Sequence, residues 1–477
     1  MSLLNKASLI QIPSGYKDGT LYSAKPTNGD GDFTFSRGSN LAATRVNSDG
    51  LIEKGRENLA LYSNDFSNIV WYKYTDTTYT LTTETITDPF GVSTSVYKVT
   101  LTGSGYVTLR QEFSGDTRYM TASAYIKKSS SGLNVAIDQS DGDVKNSASN
   151  TDWQRLSSSH ASGYGFSFID ITITGISGDY FYVSSAQMEL GGVATDYIET
   201  GASTAQAGIL EDMPRLDYSG GATCGHLILE PQRSNLVTNS EYYSASSWQN
   251  VGATITNNNT TSPEGKQNAT LLVGTSGSAS RVQDFFGALS GAHTYSLFIK
   301  STGVATRLNL QTNDVGGATF SVPASGTPTV YAEGTNIGDP FIEDYGSGWY
   351  RVGFSFTPTG GGVNNYFQIY PDSSGNISSI YVYGAQCELG SYPTSYIPTY
   401  GSSVTRGADY MSVTPTNLLG STTGSWFMEL DDMTFEITGT SVPTIYLGDD
   451  TNNCLALEAR ASGQNKTIYL VKEESGS

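Results

Sequence analysis

Hydrophobic and polar residues alternate strictly along several short stretches of this chain. In 97–102, in 169–174 and in 351–356 every second residue is apolar. A period of two sends alternate side chains to opposite faces, so each stretch predicts a β-strand with one buried and one solvated face. Half-buried strands of this kind are typical of an antiparallel sandwich rather than of a doubly wound parallel sheet.

The composition supports the same interpretation. The chain has 53 Gly and 31 Tyr, and helix signals are almost absent from it. Tyr favours pleated strands and Gly favours tight turns between them. We therefore predict an all-β protein of antiparallel β-sandwich domains.

Two parts of the chain nearly match. Residues 182–191 read Tyr-Val-Ser-Ser-Ala-Gln-Met-Glu-Leu-Gly, and residues 381–390 read Tyr-Val-Tyr-Gly-Ala-Gln-Cys-Glu-Leu-Gly. Upstream, five residues recur 177 positions later, which pairs Glu53, Arg56, Asn58, Leu59 and Trp71 with Glu230, Arg233, Asn235, Leu236 and Trp248. A fixed spacing of identities indicates an internal duplication.

The spacing between the copies changes along the chain. Ile126-Lys127 recurs after 173 positions, and the Trp153-x-Arg155 pattern recurs after 196 positions at Trp349. We interpret the difference as loops of different length between unchanged strands. The predicted units are a β-rich lead-in at 1–57, sandwiches at 58–202 and 235–405 with an ordered connector at 203–234 between them, and a partial β domain at 406–477.

The flanking regions carry weaker signals. In the connector we predict a turn over 215–221 and a strand over 227–230. In the last unit we predict strands over 426–430, 435–437, 445–447 and 467–471. About 70 residues give few strands to cover a sheet, so either the natural chain continues or a neighbouring subunit covers the open edge.

Charge and hydropathy exclude several classes of function. The chain has 26 basic and 45 acidic residues, a net charge of −19, and no basic run that could neutralise phosphates; this argues against nucleic-acid binding. Charged residues make up only 15% of it, so hydroxyl, amide and Tyr groups should dominate a surface suited to neutral sugars. No segment reaches a membrane span, and residues 1–15 lack the apolar centre of an export signal.

Several motifs of this chain resemble those of one protein family. The Arg-x-Asn-Leu opening at 56–59, the Trp-x-Arg strand and the Gly-Ala-Gln-x-Glu-Leu-Gly close at 384–390 resemble the carbohydrate-binding-type jelly-roll modules of bacteriophage tail-fibre and head-fibre proteins. Val404-Thr405-Arg406-Gly407-Ala408-Asp409 is similar to the lead-in of a laminin-G-like, concanavalin-type domain. The resemblance covers most of the chain. It implies an all-β fold of tandem antiparallel β-sandwich (jelly-roll) domains, with a third, partial β-sandwich at the C-terminus, and a virion surface or appendage component.

The copies differ within the closing motif. Ser184-Ser185 stands where the second copy has Tyr383-Gly384, and Glu199 stands where it has Pro398. On the resemblance, the first copy is expected to lack part of whatever its twin binds.

Candidates for catalysis are weak. His160, His226 and His293 lie at unrelated places without a nucleophile motif. A glycosidase pair of carboxylates is defined by separation across a cleft, so counting cannot exclude one. We assign structural roles to the residues of the repeated motif, which are Asn58, Trp71, Gln187 and Glu189 in the first copy and Asn235, Trp248, Gln386 and Glu388 in the second.

Candidates for ligand binding are aromatic or acidic. A sugar needs a flat ring against its apolar face, and we choose rings outside the shared motif for that role: Tyr72, Tyr74, Tyr164, Tyr366 and Tyr370. No cofactor is predicted, with a structural calcium ion as the alternative. The candidates for that ion are Asp30, Asp32, Asp141 and Asp143, which lie in Asp-Gly turns.

Two functions follow as hypotheses. The first is a bacteriophage fibre or spike subunit located in the virion, a homo-oligomer that contacts other virion proteins and host-surface glycan. The alternative is a glycan depolymerase acting on host surface polysaccharide.

Overall fold

The computed structural model describes residues 6–12, 15–17, 19–114, 118–139, 146–161, 166–275, 280–312, 315–359, 365–374, 377–413, 425, 427–428, 444–450, 453–462 and 465–473. The regular elements of these residues are β-strands and one short 3₁₀ turn, Ser219–Gly221. The prediction of an all-β fold is therefore confirmed. None of the described residues belongs to a helix that is long and apolar enough to cross a membrane.

The lead-in forms short strands. They are β1 (Tyr16–Lys17), β2 (Thr20–Leu21), β3 (Phe33–Ser36), β4 (Thr44–Val46), β5 (Ile52–Lys54) and β6 (Arg56–Asn58). β4 and β5 form an antiparallel hairpin around Asn47 and Gly50. Gly50 has a φ of 76°, a conformation that glycine adopts without strain.

The first sandwich consists of two five-stranded antiparallel sheets. Its strands are β7 (Tyr72–Thr75), β8 (Tyr79–Thr87), β9 (Ser93–Leu101), β10 (Gly105–Ser114), β11 (Tyr119–Lys128), β12 (Asn134–Asp138), β13 (Asn146–Ser147), β14 (Gln154–Ala161), β15 (Phe166–Gly175) and β16 (Tyr180–Leu190). One sheet has the order β13-β12-β15-β10-β7, and the other has the order β14-β11-β16-β9-β8. The chain crosses repeatedly between the two sheets, as in a jelly roll, while the pairs β8–β9 and β12–β13 each stay within one sheet.

The connector contains three short strands, β17 (Ala205–Ala207), β18 (Arg215–Asp217) and β19 (His226–Ile228). The predicted turn over 215–221 was too long, because Arg215–Asp217 pairs with β19 as a strand and only the residues after it turn. All three residues of β18 are buried, so tertiary packing overrides the local turn signal.

The second sandwich has two six-stranded sheets. Its strands are β20 (Arg233–Asn235), β21 (Gln249–Val251), β22 (Ala253–Thr260), β23 (Ala269–Gly274), β24 (Arg281–Gly287), β25 (His293–Ser301), β26 (Thr306–Thr312), β27 (Gly316–Val322), β28 (Thr329–Glu333), β29 (Phe341–Asp344), β30 (Trp349–Phe356), β31 (Asn365–Tyr370) and β32 (Ser379–Leu389). The sheets have the orders β21-β24-β31-β26-β27-β28 and β22-β23-β32-β25-β30-β29, with β20 outside both.

The change in spacing between the copies is not only a change of loop length. Where the displacement grows from 173 to 196 positions, the second sandwich gains β28 at the edge of one sheet and β29 at the edge of the other. The expectation that only loops differ was wrong. The extra residues pair with backbone groups at the edge of each sheet, and each sheet thereby gains one strand.

The last strands are β33 (Val404–Arg406), β34 (Tyr410–Ser412), β35 (Thr444–Asp450), β36 (Asn453–Ser462) and β37 (Asn465–Glu473). β34 pairs with β3 of the lead-in, and β33 pairs with β20. β35, β36 and β37 form an antiparallel three-stranded sheet that contains the predicted strands at 445–447 and 467–471. Of the strand predicted at 426–430 the structure describes Phe427 and Met428, which belong to no strand, and the strand predicted at 435–437 lies outside the described ranges.

Each sandwich has its own hydrophobic core. Ile169, Ile171 and Ile173 are buried in the first core, and Val352 and Phe354 are buried in the second. These are the apolar members of the alternating stretches, so the period of two places them between the sheets.

Candidate functional site

Asn58 and Gln187 tie the last long strand of the first sandwich to the chain that follows it. Asn58 donates to the carbonyl of Ile198 at 2.7 Å and accepts from the amide of Met188 at 3.0 Å. Gln187 accepts from the amide of Ile198 at 2.8 Å and donates to Glu189 at 2.8 Å. These amides thus satisfy buried backbone groups that water cannot reach.

The second copy repeats this junction. Asn235 donates to the carbonyl of Ile397 at 2.8 Å, and Gln386 accepts from its amide at 2.7 Å. Gln386 donates to Glu388 at 2.7 Å, and Glu388 accepts from the Thr394 amide at 2.9 Å. The repeated motif therefore builds one hydrogen-bonded junction twice.

The motif carboxyls are closed to a large substrate. Glu189 is 3% exposed and Glu388 is 0% exposed. Burial raises the pKa of Glu189, while hydrogen bonds from Thr195 and Gln187 oppose that shift. A polysaccharide cannot reach either carboxyl.

The repeated tryptophans are also internal. Trp71 lies in the first core and Trp248 in the second. The indole N–H of Trp71 donates to the carbonyl of Tyr62 at 3.1 Å, and that of Trp248 donates to Asn239 at 2.8 Å. Each indole ring fills the space between the two sheets, and its hydrogen bond holds the preceding loop against the core.

Tyr72 and Tyr74 lie on the solvent side of the sheet that contains β7 and β10, which we call the first outer face. They are 52% and 45% exposed. Arg110 lies beneath Tyr74, with its guanidinium 5.0 Å from the ring centroid. Arg110 also binds Asp170 through two hydrogen bonds of 2.6 and 2.5 Å and stacks on Phe168 at 3.9 Å. The side chains around Tyr74 are therefore held in place before any ligand arrives.

Tyr366 and Tyr370 lie on the corresponding side of the second sandwich, which we call the second outer face. They flank Gln368 along β31, about 13 Å apart at roughly 3.3 Å per residue. The ring of Tyr366 contacts that of Phe285 with centroids 5.3 Å apart. The guanidinium of Arg281 lies 5.7 Å from the centroid of Tyr370. The side-chain amide of Gln368 thus lies between the rings of Tyr366 and Tyr370.

A row of four glutamines crosses the second outer face. Cross-strand pairing places them side by side, in the order Gln249, Gln283, Gln368 and Gln311. Gln368 donates to Gln283 at 2.9 Å, and Gln283 donates to Gln249 at 2.5 Å. Side-chain amides offer both donors and acceptors, which suits hydroxyl groups of a neutral ligand.

The same row in the first sandwich has different chemistry. Cross-strand pairing there gives the order Tyr72, Arg110, Asp170 and Asp138. Tyr72 and Arg110 pair as Gln249 and Gln283 do. The first outer face is therefore charged where the second is neutral, so the two sandwiches present different surfaces at matching positions.

The structure adds exposed aromatic residues that sequence reasoning missed. Phe285 is 50% exposed and Tyr331 is 55% exposed. Tyr331 stacks with the guanidinium of Arg307 at 4.0 Å from the ring centroid. Phe285 precedes a second Phe, and Tyr331 lies in an inserted strand. A period-two reading of β24 would have placed Phe285 on the side opposite Val282.

Other predicted residues take no part in these faces. Tyr164, Asp141 and Asp143 lie outside the described residues. Asp32 accepts a hydrogen bond from the Ser23 amide at 2.7 Å, and Asp30 accepts one from Asn28 at 2.8 Å. Among the residues that the structure describes, no group of three or more His, Cys, Asp or Glu side chains could hold a metal ion.

The three histidines lie on separate strands. His160 is in β14, His226 in β19 and His293 in β25. The ring Nδ1 of His293 lies 3.1 Å from the carbonyl of Gly291. The fold does not bring these rings together.

A buried ionic cluster joins the lead-in to the second sandwich. The ammonium of Lys54 lies 2.9 Å from Glu241 and 3.0 Å from Glu264, and it donates to the Tyr400 hydroxyl at 2.7 Å. Burial opposes the charge of Lys54, but the two carboxylates hold its pKa well above the usual value. Tyr383, which is 1% exposed, donates to Glu241 at 2.9 Å. The Tyr at 383 thus serves internal packing, and its replacement by Ser184 removes no ligand contact.

A second buried network joins the lead-in, the connector and the residues after the second sandwich. Arg37 binds Asp409 at 2.8 Å, and Arg215 binds both Asp409 and Glu230. Arg406 binds Glu230 at 3.0 Å. Although burial opposes its charge, the two arginines beside Glu230 hold its pKa far below the usual value. Neither network was predicted, because its members are distant in sequence.

No family model matches the chain, and no curated protein matches it. Among solved structures, it is similar to the enzymatically active domain of bacteriophage CBA120 tailspike protein 4, at 14% identity and a TM-score of 0.22 over 28% of this chain. That alignment spans about a fifth of the tailspike domain, 21% of its length.

Two carbohydrate-binding structures are also similar. A family 11 carbohydrate-binding module from Clostridium thermocellum, in complex with a β-1,3-1,4-mixed-linked tetrasaccharide, aligns at 14% identity and a TM-score of 0.21 over 29% of this chain and 98% of that one. The tandem CBM22-1-CBM22-2 domain of Paenibacillus barcinonensis Xyn10C aligns at 10% identity and a TM-score of 0.24 over 74% and 100%. Because these TM-scores are below 0.5, we assign the fold from the strand topology and not from these similarities.

Proposed function

We propose that this chain is a bacteriophage virion appendage protein, a fibre or spike subunit, that contacts host-surface glycan through the two outer faces. The proposal includes no enzymatic step. The single observation that carries the glycan contact is the second outer face, where a row of glutamines lies between exposed or half-exposed aromatic rings.

The chemistry of that face suits a neutral polysaccharide. Tyr366 and Tyr370 offer ring faces for the apolar side of a sugar, and Gln368 between them offers an amide for its hydroxyls. The amide row is already hydrogen-bonded, so little side-chain entropy is lost on binding. The net charge of −19 favours neutral over acidic glycans.

The arrangement of the two sandwiches supports an appendage. Tyr119 of the first sandwich stacks on Tyr242 of the second, with ring centroids 3.8 Å apart and an interplanar angle of 7°. Asn258 donates to the Tyr119 hydroxyl at 3.1 Å and to the carbonyl of Gly192 at 2.8 Å. A fixed pair of binding surfaces gains from multivalent contact with a repeating polymer. The virion assignment itself rests on the motif resemblance.

A glycan array tests the proposed contact. We expect the purified chain to bind neutral bacterial polysaccharides, and we expect the Tyr366→Ala, Tyr370→Ala double variant to bind at least tenfold more weakly, which corresponds to about 1.4 kcal/mol. Tyr410→Ala is the control, because Tyr410 is an exposed ring in β34, which pairs with β3 of the lead-in and belongs to neither outer face. Equal binding by all three proteins would refute the second outer face as the contact.

Immunogold electron microscopy tests the virion assignment separately. Antibody against the chain should label fibres or spikes of the phage particle that encodes it. Label confined to the host cell would reject the appendage and leave the glycan contact to be judged by the array.

A further inference from the structure

A cleft of about 220 Å³ lies on the second sandwich, on the sheet opposite the second outer face. Asp339 and Phe341 line it from the inserted segment, Ser355 lines it from β30, and Tyr392 lines it from the loop after β32. The cleft is therefore built partly by the segment that the second copy has gained, together with β30 and the loop after β32.

The ring of Phe341 packs against the neighbouring strand, β30. Phe341 pairs across the sheet with Gly353, and a Cβ atom on Gly353 would lie only 2.5 Å from the ring. The ring therefore lies against the bare backbone of β30, in space that no larger residue would leave. In the first sandwich the corresponding strand, β14, is the edge of its sheet and carries Ser157 at the matching position. The first copy has neither the ring nor the strand that supplies it.

Polar groups surround the ring. Glu343 follows two positions after Phe341 on the same side of β29 and pairs across the sheet with Arg351. Arg351 is buried and donates to the carbonyl of Thr394 at 2.7 Å. This hydrogen bond holds the guanidinium group in place beside Glu343. Asp339 is exposed at the rim. Carboxylates accept hydrogen bonds from hydroxyl groups and repel anionic ligands.

The size of the cleft limits the ligand. Drug-sized ligands occupy pockets of roughly 300–1,000 Å³, so a cleft of about 220 Å³ suits one ring rather than a chain. An aromatic platform, two carboxylates and the hydroxyl of Ser355 match a ring with one apolar face and several hydroxyls.

The corresponding surface of the first sandwich has another use. Its closing loop at Gly192 accepts a hydrogen bond from Asn258 of the second sandwich, beside the stack of Tyr119 on Tyr242. The first copy thus uses this end for contact between the sandwiches. In the second copy the same end is an open cleft with a different lining.

We propose that the insertion in the second sandwich creates a binding site for one neutral sugar residue, with its apolar face on Phe341 and its hydroxyls donating to Asp339 and Glu343. This site is separate from both outer faces. It would hold a terminal or branching sugar, while the outer faces contact an extended chain.

Saturation-transfer NMR on the full chain tests the site with the methyl glycosides of glucose, galactose, mannose and N-acetylglucosamine, and with glucuronate. We expect saturation transfer to at least one neutral glycoside and at least tenfold weaker binding of it by Phe341→Ala. Asp339→Ala should weaken it at least threefold, and since Asp339 is exposed, this variant tests the site even if loss of Phe341 disturbs the fold. Tyr410→Ala should leave monosaccharide binding unchanged, because Tyr410 is an exposed ring in β34 that belongs neither to the cleft nor to an outer face.

Several results would overturn the proposal. One is the absence of saturation transfer to every neutral glycoside, and another is equal binding by wild type and both cleft variants. Binding of glucuronate as strong as that of the neutral sugars would contradict the role of the carboxylates. Self-association of the wild type that Asp339→Ala abolishes, without any sugar binding, would make the cleft a contact between copies instead.

Discussion

The ammonium group of Lys54, in the lead-in, lies 2.9 Å from the carboxylate of Glu241 in the second sandwich. The lead-in precedes the first sandwich in sequence, yet its buried charge is paired inside the second. Glu264 and Tyr400 complete the pairing. The β4–β5 hairpin of the lead-in thus packs against the second sandwich.

Loss of this pair should destabilise one sandwich selectively. Lys54→Met leaves two buried carboxylates without their cation, which typically costs about 3–5 kcal/mol. We expect hydrogen exchange followed by mass spectrometry to show lost protection in β22, β23 and β32, with β10 and β15 unchanged. Lys98→Met is the control, since the Lys98–Glu84 pair lies at the surface, where solvent screens the attraction between the two charges. Equal loss in both sandwiches would contradict the assignment.

Asp284 should make the second sandwich less stable as pH rises. Burial raises the pKa of Asp284 to about 6, above the value near 3.9 of an unfolded Asp. The folded state therefore binds the proton more tightly, and this stabilisation is fully present below pH 4 and is lost as pH rises to about 6. Tyr295 and Cys387, which face Asp284, stay neutral across this range because burial raises the pKa of both.

The first sandwich has a neutral amide at the position of Asp284, which suggests the substitution that tests this pH dependence. Gln111 occupies the position of Asp284 there, and its amide exchanges two hydrogen bonds with Leu61. We expect Asp284→Asn to stabilise the second sandwich at pH 7.5 by about 2–3 kcal/mol and to have little effect at pH 4, measured by urea unfolding at both pH values. A stabilisation that is the same at pH 4 and pH 7.5 would show that Asp284 does not titrate in this range.

The last long strand of each sandwich, β16 in the first and β32 in the second, has a β-bulge that should tolerate Gly better than Ser. Ser185 has a φ of 57°, and Gly384 at the matching position has a φ of 60°. A Cβ on Gly384 would lie 2.9 Å from the Phe298 ring, so Gly384→Ser adds a clash to about 1–2 kcal/mol of left-handed strain. We expect Ser185→Gly to be neutral or stabilising and Gly384→Ser to lower the thermal midpoint. Comparable destabilisation by both changes would refute this reading of the bulge.

The Tyr119–Tyr242 stack should fix the relative position of the sandwiches. Tyr119→Ala removes the stacked ring and the hydrogen bond from Asn258. We expect small-angle X-ray scattering to show a broader distribution of interatomic distances, while the strand content measured by circular dichroism stays constant. Tyr410→Ala should leave the scattering unchanged. A wild-type profile for Tyr119→Ala would mean that other contacts hold the pair.

The sequence predicted the parts of the fold that depend on local pattern. Alternation in 169–174 and 351–356 located core strands, and the displacement of 177 positions located matching residues such as Asn58 and Asn235. It also selected Tyr72 and Tyr366, which lie on outer faces, because those rings stand outside the repeated motif.

The rest depends on contacts between distant residues. The buried pairing of Lys54 with Glu241 and of Arg37 with Asp409 has no local signature. Strand β29 was missed because Phe341 lacks a partner in the first copy, and edge strands gain their order from the sheet that they join. The glutamine row appears only when the registers of four strands are known.

The most direct test of the glycan-contact proposal is a titration of the chain with the polysaccharide that the array selects, combined with an assay for new reducing ends. The account predicts saturable binding by wild type, at least tenfold weaker binding by Tyr366→Ala, Tyr370→Ala, and no reducing ends from either. Steady release of reducing ends by wild type, or binding that the double variant retains in full, would contradict it.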